Sequence, residues 1–166
     1  MNKLLIFTTI LMSMLFKAEP KIEVVRSLFY QATEDKAAAQ KFSRALAVVD
    51  NNSSPVLQCY KGVAEMIQAK HVFNPFSKLS KFKNGKTLIE KSISRDPNDL
   101  ELRFLRFSIQ SNLPGFLNYD AQIGSDKMRL LSGFGSIKDV ALKKTIFDYL
   151  SASKYCTEEE LKKIAK

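Results

Sequence analysis

The stretch NGKTLIEKSISRDPNDLELRFLRFSIQ, Asn84 to Gln110, holds two apolar-patterned segments that meet at Arg95-Asp96-Pro97-Asn98. On both sides of that junction apolar residues recur mostly at intervals of three and four, the spacing of a helix face. In the first segment Leu79, Phe82, Ile89 and Ile93 form an inward stripe that also contains Gly85. A glycine inside a helix costs up to about 1 kcal/mol of propensity, and it is tolerable where it lets a second helix approach closely. In the second segment Leu100, Leu102, Phe104, Leu105, Phe107 and Ile109 leave only a narrow polar stripe of Arg103, Arg106 and Gln110. A helix that is apolar around most of its circumference is packed on several sides, so this one is expected at the centre of the fold. The pair reads as a helical hairpin.

Outward from the hairpin the helix starts are legible. Ser54-Pro55 and Asn74-Pro75 each set a capping side chain before a proline suited to the first helical position. They predict helices over about 55–72 and 75–95, the first with Leu57, Tyr60, Ala64 and Ile67 on one face. Asn98, with Glu101 three residues on, reads as the cap of the next helix. Before them, Ile22, Val25, Phe29 and Ala32 mark a short helix, and a second starts near Thr33 and fades at Asp50-Asn51-Asn52. After Leu113-Pro114-Gly115 the pattern loosens, and a helix is expected from about Asp120 to Leu131 with Ile123, Met128 and Leu131 inward. Ser136 with Asp139 opens another, carrying Leu142, Ile146, Tyr149 and Leu150. Thr157-Glu158-Glu159-Glu160 is a capping box, with Cys156 and Leu161 at the spacing of its hydrophobic staple. No segment shows the alternation of a strand, so the expected fold class is all-α, a short stack of antiparallel helical hairpins.

The length of 166 residues fits one domain with a core that needs no disulfide or metal staple. Met1-Asn2-Lys3 followed by the apolar run Leu4–Phe16 has the form of an export leader and is short for a membrane span. Residues 1–18 are therefore expected to be a signal peptide ahead of one helical domain over 19–166, in a protein exported to the periplasm. An uncleaved N-terminus held at a membrane is the alternative. Removal of Lys3 and Lys17 with the leader would take the formal net charge from +9 to +7.

Helical hairpins ending in Asp-Pro-Asn resemble tetratricopeptide repeats. Gly85, Ile89, Ser92 and Pro97 fall at the spacing of that repeat's second helix and terminal proline, with Gly62 near the small position of the preceding helix. The segment from Pro55 to Asn98 resembles one repeat, lengthened by roughly ten residues around His71 to Lys83 relative to the usual period. Lys36 to Pro55 weakly resembles an earlier second helix. The wider chain, especially LELRFLRFSIQSNLPGFLNYD, is similar to small exported proteins of Gram-negative envelopes. The repeat resemblance implies a stack with a groove for a peptide or protein partner, and it brings no activity with it.

Candidate chemistry is sparse. His71 is the single histidine and has no His or Cys three or four residues away, so no metal or other cofactor is expected. Cys59 and Cys156 read as a small core residue and a staple residue, with a disulfide between them as the alternative. SGFGS, Ser132 to Ser136, lacks the preceding strand and following lysine of a phosphate loop and reads as a helix stop and cap.

The most informative feature is basic. Lys70, Lys78, Lys81, Lys83, Lys86, Lys91 and Arg95 are offset by Glu90 alone, with Phe73, Phe76 and Phe82 among them. This face suits an anionic partner or membrane surface, or else it is a solvated lysine face over a buried aromatic row. Export and the excess of lysine over arginine disfavour nucleic acid. Arg103 and Arg106 either line a groove and grip a peptide carboxylate, or pair within the fold. Phe116 and Tyr119 either hold a ligand or plug the core. The candidate contact residues are therefore Lys78, Lys81, Lys83, Lys86, Arg103, Arg106, Phe116 and Tyr119. The function expected is non-catalytic binding of a protein or peptide, with attachment to an anionic or membrane surface through residues 70–95 as the alternative. A hydrolase lacks an identifiable nucleophile, base and orienting group.

Overall fold

In a computed structural model, residues 18–165 are described; the apolar run Leu4–Phe16, on which the expected signal peptide rests, lies outside them. They form eight α-helices: α1 Ile22–Ala32, α2 Lys36–Ala45, α3 Pro55–Ala69, α4 Pro75–Arg95, α5 Leu100–Gln110, α6 Ile123–Gly133, α7 Val140–Ala152 and α8 Glu158–Ile164. Two 3-10 turns, Gly115–Leu117 and Phe134–Ser136, flank α6, and there is no strand among the described residues. The fold is all-α.

Side-chain caps set most of the helix starts. Asn74 accepts from the amides of Phe76 and Ser77 at 2.9 and 3.1 Å, and Pro75 follows it. Ser54 accepts from Leu57 ahead of Pro55. Thr157 and Glu160 form both halves of the capping box. Each satisfies amides that the first helical turn leaves without a partner. Elsewhere an aspartate displaces the expected cap. Asp35 starts α2 at Lys36 rather than near Thr33, and Asp99, not Asn98, caps α5. Asp139 alone opens α7, while the Ser136 hydroxyl closes the preceding 3-10 turn on Gly133. The third helix ends at Ala69, short of Val72.

α3 and α4 form the closest pairing, and two glycines make it possible. A Cβ on Gly85 would fall 2.6 Å from the Gly62 carbonyl oxygen, and one on Gly62 would fall 2.8 Å from that of Gly85. No side chain can occupy either point, so the helices cross backbone to backbone. α3 also packs on α2, α1 and α5, and α5 in turn meets α4, α6 and α7. The predicted central helix is central: apart from Leu100 and Ile109, every residue of α5 is buried. One core runs from Val25 and Phe42 through Tyr60, Val63, Ile89 and Leu105 to Leu130, Ile146 and Leu150.

Buried polar groups tie the layers. Arg26 of α1 donates to both carboxylate oxygens of Glu101 at 2.7 and 2.6 Å and to Asp139 at 2.6 Å. Tyr60 donates its hydroxyl to Glu101 at 2.7 Å. These bonds raise the guanidinium's proton affinity, chiefly through Glu101, and burial with the Glu101 charge pushes the Tyr60 phenol up.

Two expected core residues are outside. Leu79 is 45% and Met128 60% exposed. Both sit on the right helical spacing, but Leu79 lines an open groove between α3 and the segment after α5, and Met128 lies on an exposed face of α6. Ile89 and Ile93 lie inside as expected, and Phe82 is half-buried.

Candidate functional site

The start of α4 is one wall of a largely apolar groove. Met66 and Ala69 of α3 with Lys70 after it, Pro75, Lys78, Leu79 and Phe82 of α4, and Asn112, Leu113, Pro114, Phe116 and Leu117 beyond α5 line about 480 Å³. Lys70 and Lys78 are the only charged residues lining it; no acidic residue does. Volume and lining fall within the range of sites for small ligands: mostly apolar walls with few polar groups.

Local sequence explains each wall. The Asn74 cap and Pro75 turn the chain sharply after α3, which leaves Phe73 and Phe76 on a tight corner, 96% and 85% exposed. Pro114 stops any continuation of α5, and the Gly115–Leu117 turn lifts Phe116 out to 81% exposure. Asn118 then adopts a left-handed conformation, φ 47°, one that asparagine tolerates better than most residues. That reversal carries Tyr119 back into the protein.

Tyr119 backs Phe82, the groove residue nearest Gly85 on α4. Its ring meets Phe82 edge-on at 6.1 Å, and its hydroxyl donates to Glu90 at 2.7 Å. Burial, then the bond to Glu90, pushes the Tyr119 phenol up, so it stays a protonated donor. Lys86 lies 4.8 Å over the same ring.

Of the candidate contact residues, the structure brings Lys78 and Phe116 to the groove, where Lys70 joins them. Lys83 is exposed on α4 outside it, and Lys81 is half-buried in a 3.1 Å ion pair with Glu65. Lys86 and Tyr119 do not line the groove; Tyr119 packs behind Phe82, with Lys86 over its ring.

Arg103 and Arg106 are not available to a partner. Arg106 donates to the Asp126 oxygens at 2.7 and 2.8 Å and to Glu90 at 2.6 Å; Arg103 reaches Asp126 at 3.2 Å and the Pro97 carbonyl at 2.7 and 3.1 Å. Asp126 is fully buried. Of the two readings open for these arginines, this geometry is that of pairing within the fold: a buried carboxylate needs buried cations, and α6 supplies the carboxylate.

Met66, Ala69, Leu113 and Leu117 were not singled out in the sequence. The one signal in the sequence is that Leu113 and Leu117 flank the Pro114-Gly115 break. Cys59 is free and fully buried, and burial pushes its thiol up, which holds it as a protonated core group. Cys156 is also free. Among the described residues no helix is long and apolar enough to cross a membrane. No protein-family model, curated protein or solved structure gives a significant match to the chain.

Proposed function

We propose that the protein acts by binding, and that its lysine-rimmed end attaches to an anionic lipid surface of the envelope to which residues 1–18 would direct it. The observation that carries this reading is the projection of Phe73, Phe76 and Phe116 from two neighbouring corners around Lys70 and Lys78. Large apolar side chains exposed together mark interaction surfaces. Aromatic rings held at corners enter the boundary between headgroups and acyl chains without unfolding anything behind them. Each phenylalanine gains about 2 kcal/mol when fully removed from water, and each nearby lysine adds about 1 kcal/mol at an anionic surface.

The test is sedimentation with vesicles. Binding to phosphatidylglycerol-containing vesicles, weak binding to phosphatidylcholine alone and steep release with rising salt are expected. Replacing Phe73, Phe76 and Phe116 together by Ser should abolish sedimentation while the melting curve stays at the parent value. Equal binding to both vesicle types, or none to either, overturns the reading. A protein or peptide partner is the second reading, favoured by the groove's open form and its Phe116 wall. It predicts capture of a protein from envelope extracts that survives moderate salt and is lost on the same substitution.

A further inference from the structure

The three projecting rings surround the groove, yet Phe73 and Phe76 do not line it. A flat attachment surface needs no groove. The one here is walled by Met66 and Leu79, roofed by Leu113 and Leu117, and bounded toward Gly85 by Phe82, which Tyr119 backs edge-on. Behind that contact the Tyr119–Glu90–Arg106–Asp126 chain of hydrogen bonds holds Tyr119. The interior is apolar and both charges are cationic, so the complementary ligand has a slender apolar body and a negative end. Its body must be narrow, because α3 and α4 converge to backbone contact at Gly62 and Gly85 one to two turns further in.

We propose that the groove holds a single-chain anionic amphiphile, its acyl tail between Leu79 and Leu113 and its acidic head at Lys70 and Lys78. This rests on the lipid-facing reading of the same end and adds a defined site to it. The head can be a carboxylate or a phosphate, since a lysine ammonium is a point charge that accepts either. The ligand is equally reached as a free amphiphile or as a chain lifted from the adjoining surface.

The chain has no tryptophan, so Phe116→Trp places a lone reporter on the groove wall at a residue whose exposure leaves the core intact. Titrated below the micelle concentration with dodecyl phosphate and with laurate, it should shift to the blue and saturate at one ligand per chain. Dodecyltrimethylammonium should bind at least tenfold more weakly, and Lys70→Gln with Lys78→Gln should weaken dodecyl phosphate at least tenfold. Leu113→Glu should abolish the shift; should it fail to fold, Leu79→Glu, at an exposed position, gives the same reading.

No saturable shift with either anion overturns the proposal. So does equal affinity for the cationic amphiphile, or a shift produced only by an acidic amphipathic peptide and not displaced by dodecyl phosphate. Vesicle sedimentation of the same samples separates the two levels. Sedimentation without amphiphile binding removes the groove site and leaves surface attachment standing. Saturable amphiphile binding without sedimentation removes the surface reading and leaves a carrier-like site.

Discussion

Asp126 sits in the first turn of α6 with no exposure, and two guanidinium groups close on it from α5. Taking one carboxylate and two cations out of water is costly, and mutual attraction offsets that cost only while all three are present. Asp126→Asn should therefore destabilise the protein by about 3 kcal/mol or more, the range for removing one partner of a buried pair, read as a lower urea midpoint with unchanged slope. Glu90→Gln should cost far less, under about 1 kcal/mol, because the Glu90 side chain is 38% exposed and water screens its pairing. Comparable losses in the two variants would refute the assignment of Asp126 as the anchor. The sequence showed that Arg103 and Arg106 needed partners if buried, but not which; their carboxylate lies 20 or more residues away across Pro114, and helical periodicity carries no information at that range. The cysteines were easier to read. Cys59, enclosed and with its thiol pushed up, should resist a thiol reagent until urea unfolds the chain, whereas Cys156 should react in the native protein. Two native thiols reacting at the same rate would place Cys59 wrongly.

At the level of elements, α4 shows what local sequence decides and where it stops. Asn74-Pro75 and Asp96-Pro97 bound it as predicted, since caps and prolines act within a turn of the residues they control. Its inward face was right in its second half alone: Ile89 and Ile93 are buried, Leu79 is not. Met128 on α6 is likewise exposed despite its spacing. Periodicity reports a face, and tertiary packing decides how much of that face is used. Gly85 separates the two halves, and its role is testable because two effects oppose. Alanine there gains about 1 kcal/mol of helix propensity, but its Cβ would sit 2.6 Å from the Gly62 carbonyl oxygen, a backbone atom that cannot swing aside. Forced overpacking typically costs about 1–3 kcal/mol, so Gly85→Ala should be net destabilising in urea unfolding. Gly124→Ala is the control: nothing lies within 4 Å of its added methyl, and the same propensity gain should appear as unchanged or slightly raised stability. Gly85→Ala matching or exceeding the parent would show that α3 and α4 do not meet backbone to backbone.

Across the whole molecule, the all-α class and the central position of α5 were legible because caps and apolar spacing recur throughout the chain, whereas the groove was not, since it joins α3, α4 and the segment after α5 through packing that no single window contains. The same packing encloses groups that titrate in alkali. Cys59, Tyr60 and Tyr119 are all pushed above their ordinary values, each chiefly by burial, with Glu101 or Glu90 adding to it. A group whose folded value is raised contributes stability that is complete below its unfolded value and is lost as pH rises toward the folded one. The unfolded chain begins to release these protons near pH 8.5 for the thiol and near 10 for the phenols, while the folded chain holds them. Urea stability should therefore be level from pH 7 to about 8 and fall progressively from about 8.5 to 11. Net charge works in the opposite direction. The chain carries +9 at pH 7 and reaches neutrality near pH 9.5, so between about pH 8.5 and 9.5 loss of positive charge relieves self-repulsion, and a decline in that interval cannot come from net charge. Cys59→Ala should delay the first part of the fall, and Tyr60→Phe, although it lowers stability at pH 7 by loss of the bond to Glu101, should flatten the part above pH 9.5. A parent curve that stays level or rises to pH 11 would mean that these side chains are not enclosed together, and that the core described between α1, α3 and α5 is wrongly built.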